Sequence, residues 1–298
     1  MAAVTRTYRD RCPGVLRPWI AEDGALVRLR LVGGRTTKGA LRHLLEISAD
    51  HADGDVSLTK RANLQLRGIA HEDGCVDPAF VEAVTEAGFL PAPTHELVRN
   101  IMVSPLTGRR GGQADLGPVA EQLDALLCAD PAFTDLSARF LFVLDDGRGD
   151  LVDRTLDVGA MAVDAEHAQV RIGSEHWGDV VTLEALPEAL ADVARRFVDV
   201  RGTGDDAPWH VDELDGADGT GVEALSGPPH ARDLRTHVTS LPLPQGMIAQ
   251  DDGRSVEHVP VPDGLLTPEL ARPLLDRAAG PVVVTPWRSL LLPDLEDA

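Results

Sequence analysis

Two distant segments of this chain carry the same pattern. Leu58-Thr-Lys-Arg-Ala-Asn-Leu-Gln-Leu-Arg-Gly68 and Pro281-Val-Val-Val-Thr-Pro-Trp-Arg-Ser-Leu-Leu-Leu-Pro293 align with Thr59 on Thr285, Leu64 on Leu290 and Leu66 on Leu292, a spacing of 226 residues. A repeated unit must bury equivalent apolar faces twice, so the spacing requires two similar structural copies near the two ends of the chain. The second copy is less polar, with Leu291 where the first has Gln65 and Pro293 where it has Arg67.

Each copy reads as strand, helix, strand. In the first, Ala25–Val32 puts Val27, Leu29 and Leu31 on one face and Arg28 and Arg30 on the other, and Gly33-Gly34 turns the chain. A helix follows over residues 37–49 with Ala40, Leu41, Leu44, Leu45 and Ser48 in one stripe. Asp77-Pro78 opens a further helix that Gly88 closes. In the second copy Thr267-Pro268 caps a helix bearing Leu270, Leu274 and Leu275. Pro273 lies inside it, where an unrelieved proline costs about 3 kcal/mol and predicts a kink. Between the copies an α/β region is expected: a helix over 115–129, a strand over 139–144 ending at Asp145-Asp146-Gly147, a hairpin over 157–172, and a helix from Pro187.

Read as one strand, Leu58–Gly68 has Leu58, Ala62, Leu64 and Leu66 on one face, interrupted by Lys60. Ser57, Thr59, Arg61, Asn63, Gln65 and Arg67 take the other. A polar strand face is ordinarily solvated. Long hydrogen-bond donors with positive charge, in a chain of formal net charge -20, also fit a site for an anion.

Composition removes several classes. The acidic balance argues against nucleic acid as a partner. No apolar stretch reads as a membrane span or a secretory signal, so a cytoplasmic protein is expected. Cys12, Cys75 and Cys128 match no CxxC or ferredoxin-type spacing, the ten histidines show no HxxxH or HxH pair, and no metal ligands are assigned. GxGxxG, Walker and GxSxG motifs are absent, and no residue is assigned a catalytic role.

Four pieces taken in order resemble the nitrite/sulfite reductase superfamily: Arg11-Cys-Pro-Gly-Val-Leu-Arg17, Leu58–Gly68, Arg99-Asn100-Ile101 followed by Ser104-Pro105-Leu106, and Thr285–Pro293. Within it they look most like the precorrin-3B synthases of cobalamin biosynthesis. The resemblance implies an α+β fold: two ferredoxin-like half domains in pseudo-twofold arrangement, with an inserted α/β nitrite/sulfite-reductase-like domain. The expected divisions are a first half domain over 1–95, a middle domain over 96–202, a flexible linker over 203–231 rich in Gly, Asp and Pro, and a second half domain over 232–298.

By motif position the resemblance implies that Arg61 and Arg99 face a tetrapyrrole and its anionic ligand. Arg139 falls on a family lysine position, and the next such lysine falls on Leu141. With Asn100 beside Arg99, and Arg28, Arg30, Asn63, Gln65 and Arg67 on the same strand faces, these residues form the candidate set for an anionic tetrapyrrole such as a precorrin or siroheme. Catalytic family members hold a siroheme and a [4Fe-4S] cluster, the cluster in many members through C-x5-C and C-x3-C motifs, which this sequence lacks. Two functions follow as expectations: a precorrin-3B synthase-like oxidoreductase, or a non-catalytic tetrapyrrole-binding or scaffold protein that has lost the cluster-binding domain; in the scaffold reading a partner protein would supply the redox domain.

Overall fold

The computed structural model describes residues 10–202, 207–214 and 221–296. In chain order it has β1 (Trp19–Ala21), β2 (Gly24–Leu29), β3 (Arg35–Thr37), α1 (Lys38–His51), β4 (Val56–Leu58) and β5 (Leu64–Ile69). The small hairpin β6 (His71–Glu72) and β7 (Cys75–Val76) leads to α2 (Pro78–Glu86). Next come β8 (Ile101–Val103), α3 (Gly117–Ala129), β9 (Phe142–Asp145), β10 (Val158–Ala162), β11 (His167–Ile172), β12 (His176–Thr182), α4 (Leu186–Arg201) and α5 (Glu223–Ser226). The chain finishes with β13 (Gly246–Ala249), β14 (Ser255–Pro260), β15 (Leu265–Leu266), α6 (Pro268–Arg277), β16 (Pro281–Val284) and β17 (Ser289–Leu295). The fold is α+β with several sheets. Among the described residues no helix is long and apolar enough to cross a membrane.

Two compact units result, one of Cys12–Leu97 and Pro244–Ala298, the other of Met1–Arg11 and Val98–Leu243. The first contains both copies of the repeat. Its helices start where the side chains dictate: Thr37 accepts from Ala40 N–H, Thr267 from Leu270 N–H, and Asp77 from Ala79 N–H ahead of Pro78. α6 continues through Pro273 to Arg277. Leu41, Leu44 and Leu45 of α1 share one core with Leu64 and Leu66 of β5, and Leu274 and Leu275 of α6 join it with Leu290 and Leu292 of β17.

The two sheets of this unit run β1-β2-β5-β4-β15 and β13-β14-β17-β16-β3. Each copy lends its short strand to the other copy's sheet: β15 pairs β4 through Leu265↔Ser57 and Leu266↔Val56, and β3 pairs β16 through Thr36↔Val282 and Arg35↔Val283. Glycine permits the close approach. At Gly34 (φ 70°) a Cβ would stand 2.1 Å from Val284 O, and at Gly264 (φ 72°) 3.2 Å from Leu58 O.

The second unit is built on a mixed sheet, β12-β11-β10-β9-β8, with β8, β9 and β10 parallel and β10, β11 and β12 antiparallel. Phe140 and Phe142 meet at 5.2 Å between ring centres, and Phe197 of α4 lies 5.1 Å from Phe140. Part of the expected linker, residues 203–206 and 215–220, lies outside the described residues. The remainder is packed on this unit: Trp209, Val211 and Leu225 are buried, and Gln169 of β11 holds Ala231 O and Asp233 N–H. Its few apolar residues are separated by Gly, Asp and Pro, so they show no period. Grouping with the α/β unit continues to Leu243, beyond the boundary expected at 231/232.

The exchange contact at Gly34 gives a direct stability test. Gly34→Ala adds a left-handed backbone penalty and a clash with Val284 O, and should destabilise by about 2–4 kcal/mol. Gly54→Ala, also at positive φ but with open space around it, should lose only the backbone part, about 1–2 kcal/mol. Chemical denaturation of both variants measures the difference, and equal losses would mean that the contact is not tight.

Candidate anion-binding site

The segment expected as one strand is a hairpin. Thr59 N–H donates to Asn63 O, Ala62 N–H donates to Thr59 O, and Thr59 Oγ1 accepts from Asn63 N–H, closing a turn in which Ala62 takes φ 56°. The matching turn repeats these bonds: Thr285 N–H donates to Ser289 O, Arg288 N–H donates to Thr285 O, and Arg288 takes φ 58°. Alternation survives on either side because Ser57 pairs Gln65 and Leu58 pairs Leu64 across the hairpin.

That register builds a polar row. Arg28 of β2 pairs Gln65 of β5, which pairs Ser57 of β4, while Val27, Leu29, Leu64 and Leu66 point into the core under α1. Arg28 is half-buried, and its Nε is buried with no hydrogen-bond partner among the described residues. Arg30 is buried at 4% exposure and donates from Nη1 to Pro13 O at 3.2 Å. Burial chiefly, then the charges of Arg28 and Arg61, push the Arg30 guanidinium down to about 10. Arg28, Arg30 and Arg61 therefore form a cluster of like charges. Glu96 opposes it in part and was not legible in the sequence. Its carboxylate accepts Val15 N–H at 2.6 Å and Leu16 N–H at 3.1 Å, and burial raises its pKa.

The other candidates take separate places. Asn63 is buried in the turn, where Oδ1 accepts Leu31 N–H at 2.9 Å. Arg67 is exposed and pairs with Asp23 at 3.1 Å. Arg99, Asn100 and Arg139 belong to the other unit. Arg99 donates from Nε and Nη2 to both oxygens of Asp124, each at 2.7 Å; burial opposes its charge, but Asp124 raises its pKa. Asn100 Nδ2 donates to Ala138 O. Arg139 lies 3.6 Å from Asp10 and 4.9 Å from the centre of the Trp209 ring. Leu141, on the second family lysine position, is buried.

Residues 20–73, which hold the polar row and the turn, match the nitrite/sulfite reductase ferredoxin-like half domain. A 110-residue segment is 34% identical to ferredoxin–nitrite reductase of Leptolyngbya laminosa, covering 36% of this chain and 21% of that protein. Another, of 145 residues, is 28% identical to precorrin-3B synthase of a Sinorhizobium species, covering 48% and 30%. The structure of the Mycobacterium tuberculosis NirA protein superposes with a TM-score of 0.73 at 18% identity over 96% of this chain and 60% of that one, a likeness of fold. The matched segments span less than a third of each curated relative. Residues 20–73 thus match a nitrite/sulfite reductase ferredoxin-like half domain, and the chain is distantly similar to precorrin-3B synthase and to ferredoxin–nitrite reductase.

Arg99 and Asp124 should behave as a buried pair, with side chains 9% and 19% exposed. Asp124→Ala leaves the guanidinium uncompensated and should cost about 3 kcal/mol. Asp276→Ala, which frees only the exposed Arg42, should cost about 0–1 kcal/mol. Urea denaturation of the two variants decides, and similar values would show that Arg99 is not committed to Asp124.

Proposed function

We propose that this chain is a precorrin-3B synthase-like protein of corrin biosynthesis that holds an anionic, polycarboxylate tetrapyrrole on the first copy of its repeat. In this reading the two copies are the superfamily's ferredoxin-like half domains in pseudo-twofold arrangement, and the α/β unit is the inserted domain. The observation that supports it is the charge cluster of Arg28, Arg30 and Arg61, in which Arg28 lies in register with Gln65 and Ser57, Arg30 is buried, and Arg28 Nε lacks a hydrogen-bond partner among the described residues. Concentrating like charges is unfavourable unless an anion relieves them, and each charge-assisted hydrogen bond to a carboxylate is worth about 1.5–3 kcal/mol.

The redox group of the superfamily fits less well. A [4Fe-4S] cluster takes four cysteine thiolates. This chain has three cysteines, Cys12 and Cys75 in one unit and Cys128 in the other, all of them free. A siroheme would supply an iron centre when bound, and these residues would pair with its carboxylates. Oxidation then requires a redox group that the residues of this chain do not hold, and the chain alone is expected to bind without turnover.

Titration with siroheme and with uroporphyrin, a metal-free polycarboxylate macrocycle, tests the reading. Arg28→Met and Arg61→Ala should each weaken binding by about 1.5–3 kcal/mol. Arg67→Ala, exposed and paired with Asp23, should change it by a few tenths, roughly the worth of a surface pair. Equal affinities across wild type and variants would remove the site. Oxygen-dependent turnover of a precorrin by the isolated chain would refute the claim that it only binds.

A further inference from the structure

We propose that Asp145, Asp146 and Asp150, with Arg148, form a proton-controlled latch that fastens the loop after β9 to the loop after β8 and loosens when Asp150 ionises. The three carboxylates are buried, and one oxygen from each lies within 4.8 Å of the others. The cation among them is Arg148, whose Nη2 is 2.7 Å from Asp146 Oδ2 and whose Nε is 3.8 Å from Asp150 Oδ2. Arg154 acts on Asp150 from further along the same loop, and Arg171 of β11 feels Asp145. A guanidinium thus already stands where a bound cation would be sought.

The hydrogen bonds single out one carboxyl group. Asp145 accepts the N–H groups of Gly147, Gly149 and Leu151, and Asp146 accepts both the backbone N–H and Nη2 of Arg148. Asp150 Oδ1 accepts from Ser104 Oγ at 2.6 Å, but Oδ2 is buried with no hydrogen-bond partner among the described residues. Ionised, that oxygen would face two carboxylates in a water-poor site. Burial first, then Asp145, lift Asp150 to about 7.

Asp146 connects this charge balance to the neighbouring loop. Its carbonyl accepts Gln113 N–H at 2.6 Å, and its N–H donates to Ser104 Oγ at 3.1 Å. Gly112 (φ 75°) sits so close that a Cβ would lie 2.6 Å from the Asp146 carboxylate carbon. Repulsion between ionised Asp150 and its neighbours therefore acts on the residues that hold both loops. The loop released carries Arg109 and Arg110, so loosening would free basic charge.

The folded pKa lies above the ordinary 3.8, so the stabilisation is complete below that value and is lost as pH rises through about 7. Hydrogen exchange of the full chain between about pH 6 and about pH 8, corrected for intrinsic rates, reads the latch directly. Protection of amides in residues 107–115 and 145–151 should fall about tenfold with a midpoint near 7, while the amides of α3 keep theirs. Asp150→Asn keeps an acceptor for Ser104 and should abolish the pH dependence; Asp153→Asn, outside the trio, should retain it. A flat wild-type profile overturns the proposal even if Asp150→Asn fails to fold. So does an unchanged profile in a folded Asp150→Asn protein.

Discussion

The repeat unit rests on backbone meeting backbone at Gly34 and Gly264. Each glycine lies where one copy's short strand enters the other copy's sheet: a Cβ at Gly34 would clash with Val284 O, and one at Gly264 would press on Leu58 O and the Arg288 side chain. Neither five-stranded sheet of this unit can then be completed by one copy. Further bonds reinforce the exchange, with Lys38 Nζ donating to Ala278 O at 2.7 Å and Arg42 pairing with Asp276 at 2.9 Å. Because β15 flanks β4, the position of Ser57 in the row with Gln65 and Arg28 is set by Leu265, a residue of the opposite copy. The floor of the candidate site is therefore a product of both copies, although its charges come from one.

Charge in that site must work against the rest of the chain. A net charge of -20 repels a polycarboxylate at long range, and at physiological salt such repulsion fades within about 8 Å. Capture depends on local arrangement. Arg30 is held to Pro13 O and flanked by Glu96, which also holds Val15 and Leu16. It acts as a fixed positive charge behind Arg28 and Arg61, with the segment Cys12–Arg17 fastened around it. The Arg-Cys-Pro-Gly segment of the sequence thereby acquires a structural role, because its backbone carbonyl anchors the buried arginine.

Much of this could be read from the sequence wherever a local rule applied. Thr37, Asp77-Pro78 and Thr267-Pro268 marked helix starts because capping uses side chains within three residues. The repeat was visible because Thr59 and Thr285 close the same turn and the following leucines face the same core. In the first copy the turn itself was not, since there it uses neither Gly nor Pro: Thr59 supplies the side-chain acceptor and Ala62 accepts a left-handed φ. Partners distant in sequence were likewise invisible. Nothing near Arg99 announces Asp124, 25 residues away on α3, or Glu96 as the clamp on Val15. Asp145 and Asp146 read only as a strand end until the fold closed Asp150 onto them.

The divergence of the two copies shows how a duplicated scaffold keeps its geometry while one face changes its chemistry. Where Arg28 pairs Gln65 across β2 and β5, His258 pairs Leu291 across β14 and β17. His258 Nδ1 donates to Pro244 O at 2.7 Å, and its Nε2 pairs with Ser289 Oγ, which in turn pairs with Thr285 Oγ1. Ser289 occupies the turn position of Asn63, so the second copy joins turn and strand through a buried side-chain chain with its own groups satisfied. In the first copy Asn63 turns inward to Leu31, leaving Arg28 with a buried Nε that no hydrogen bond satisfies among the described residues. An unsatisfied buried donor is costly, and the second copy demonstrates that this scaffold has a way to avoid it. Retaining that cost on one copy is the pattern expected where an external acceptor completes the site.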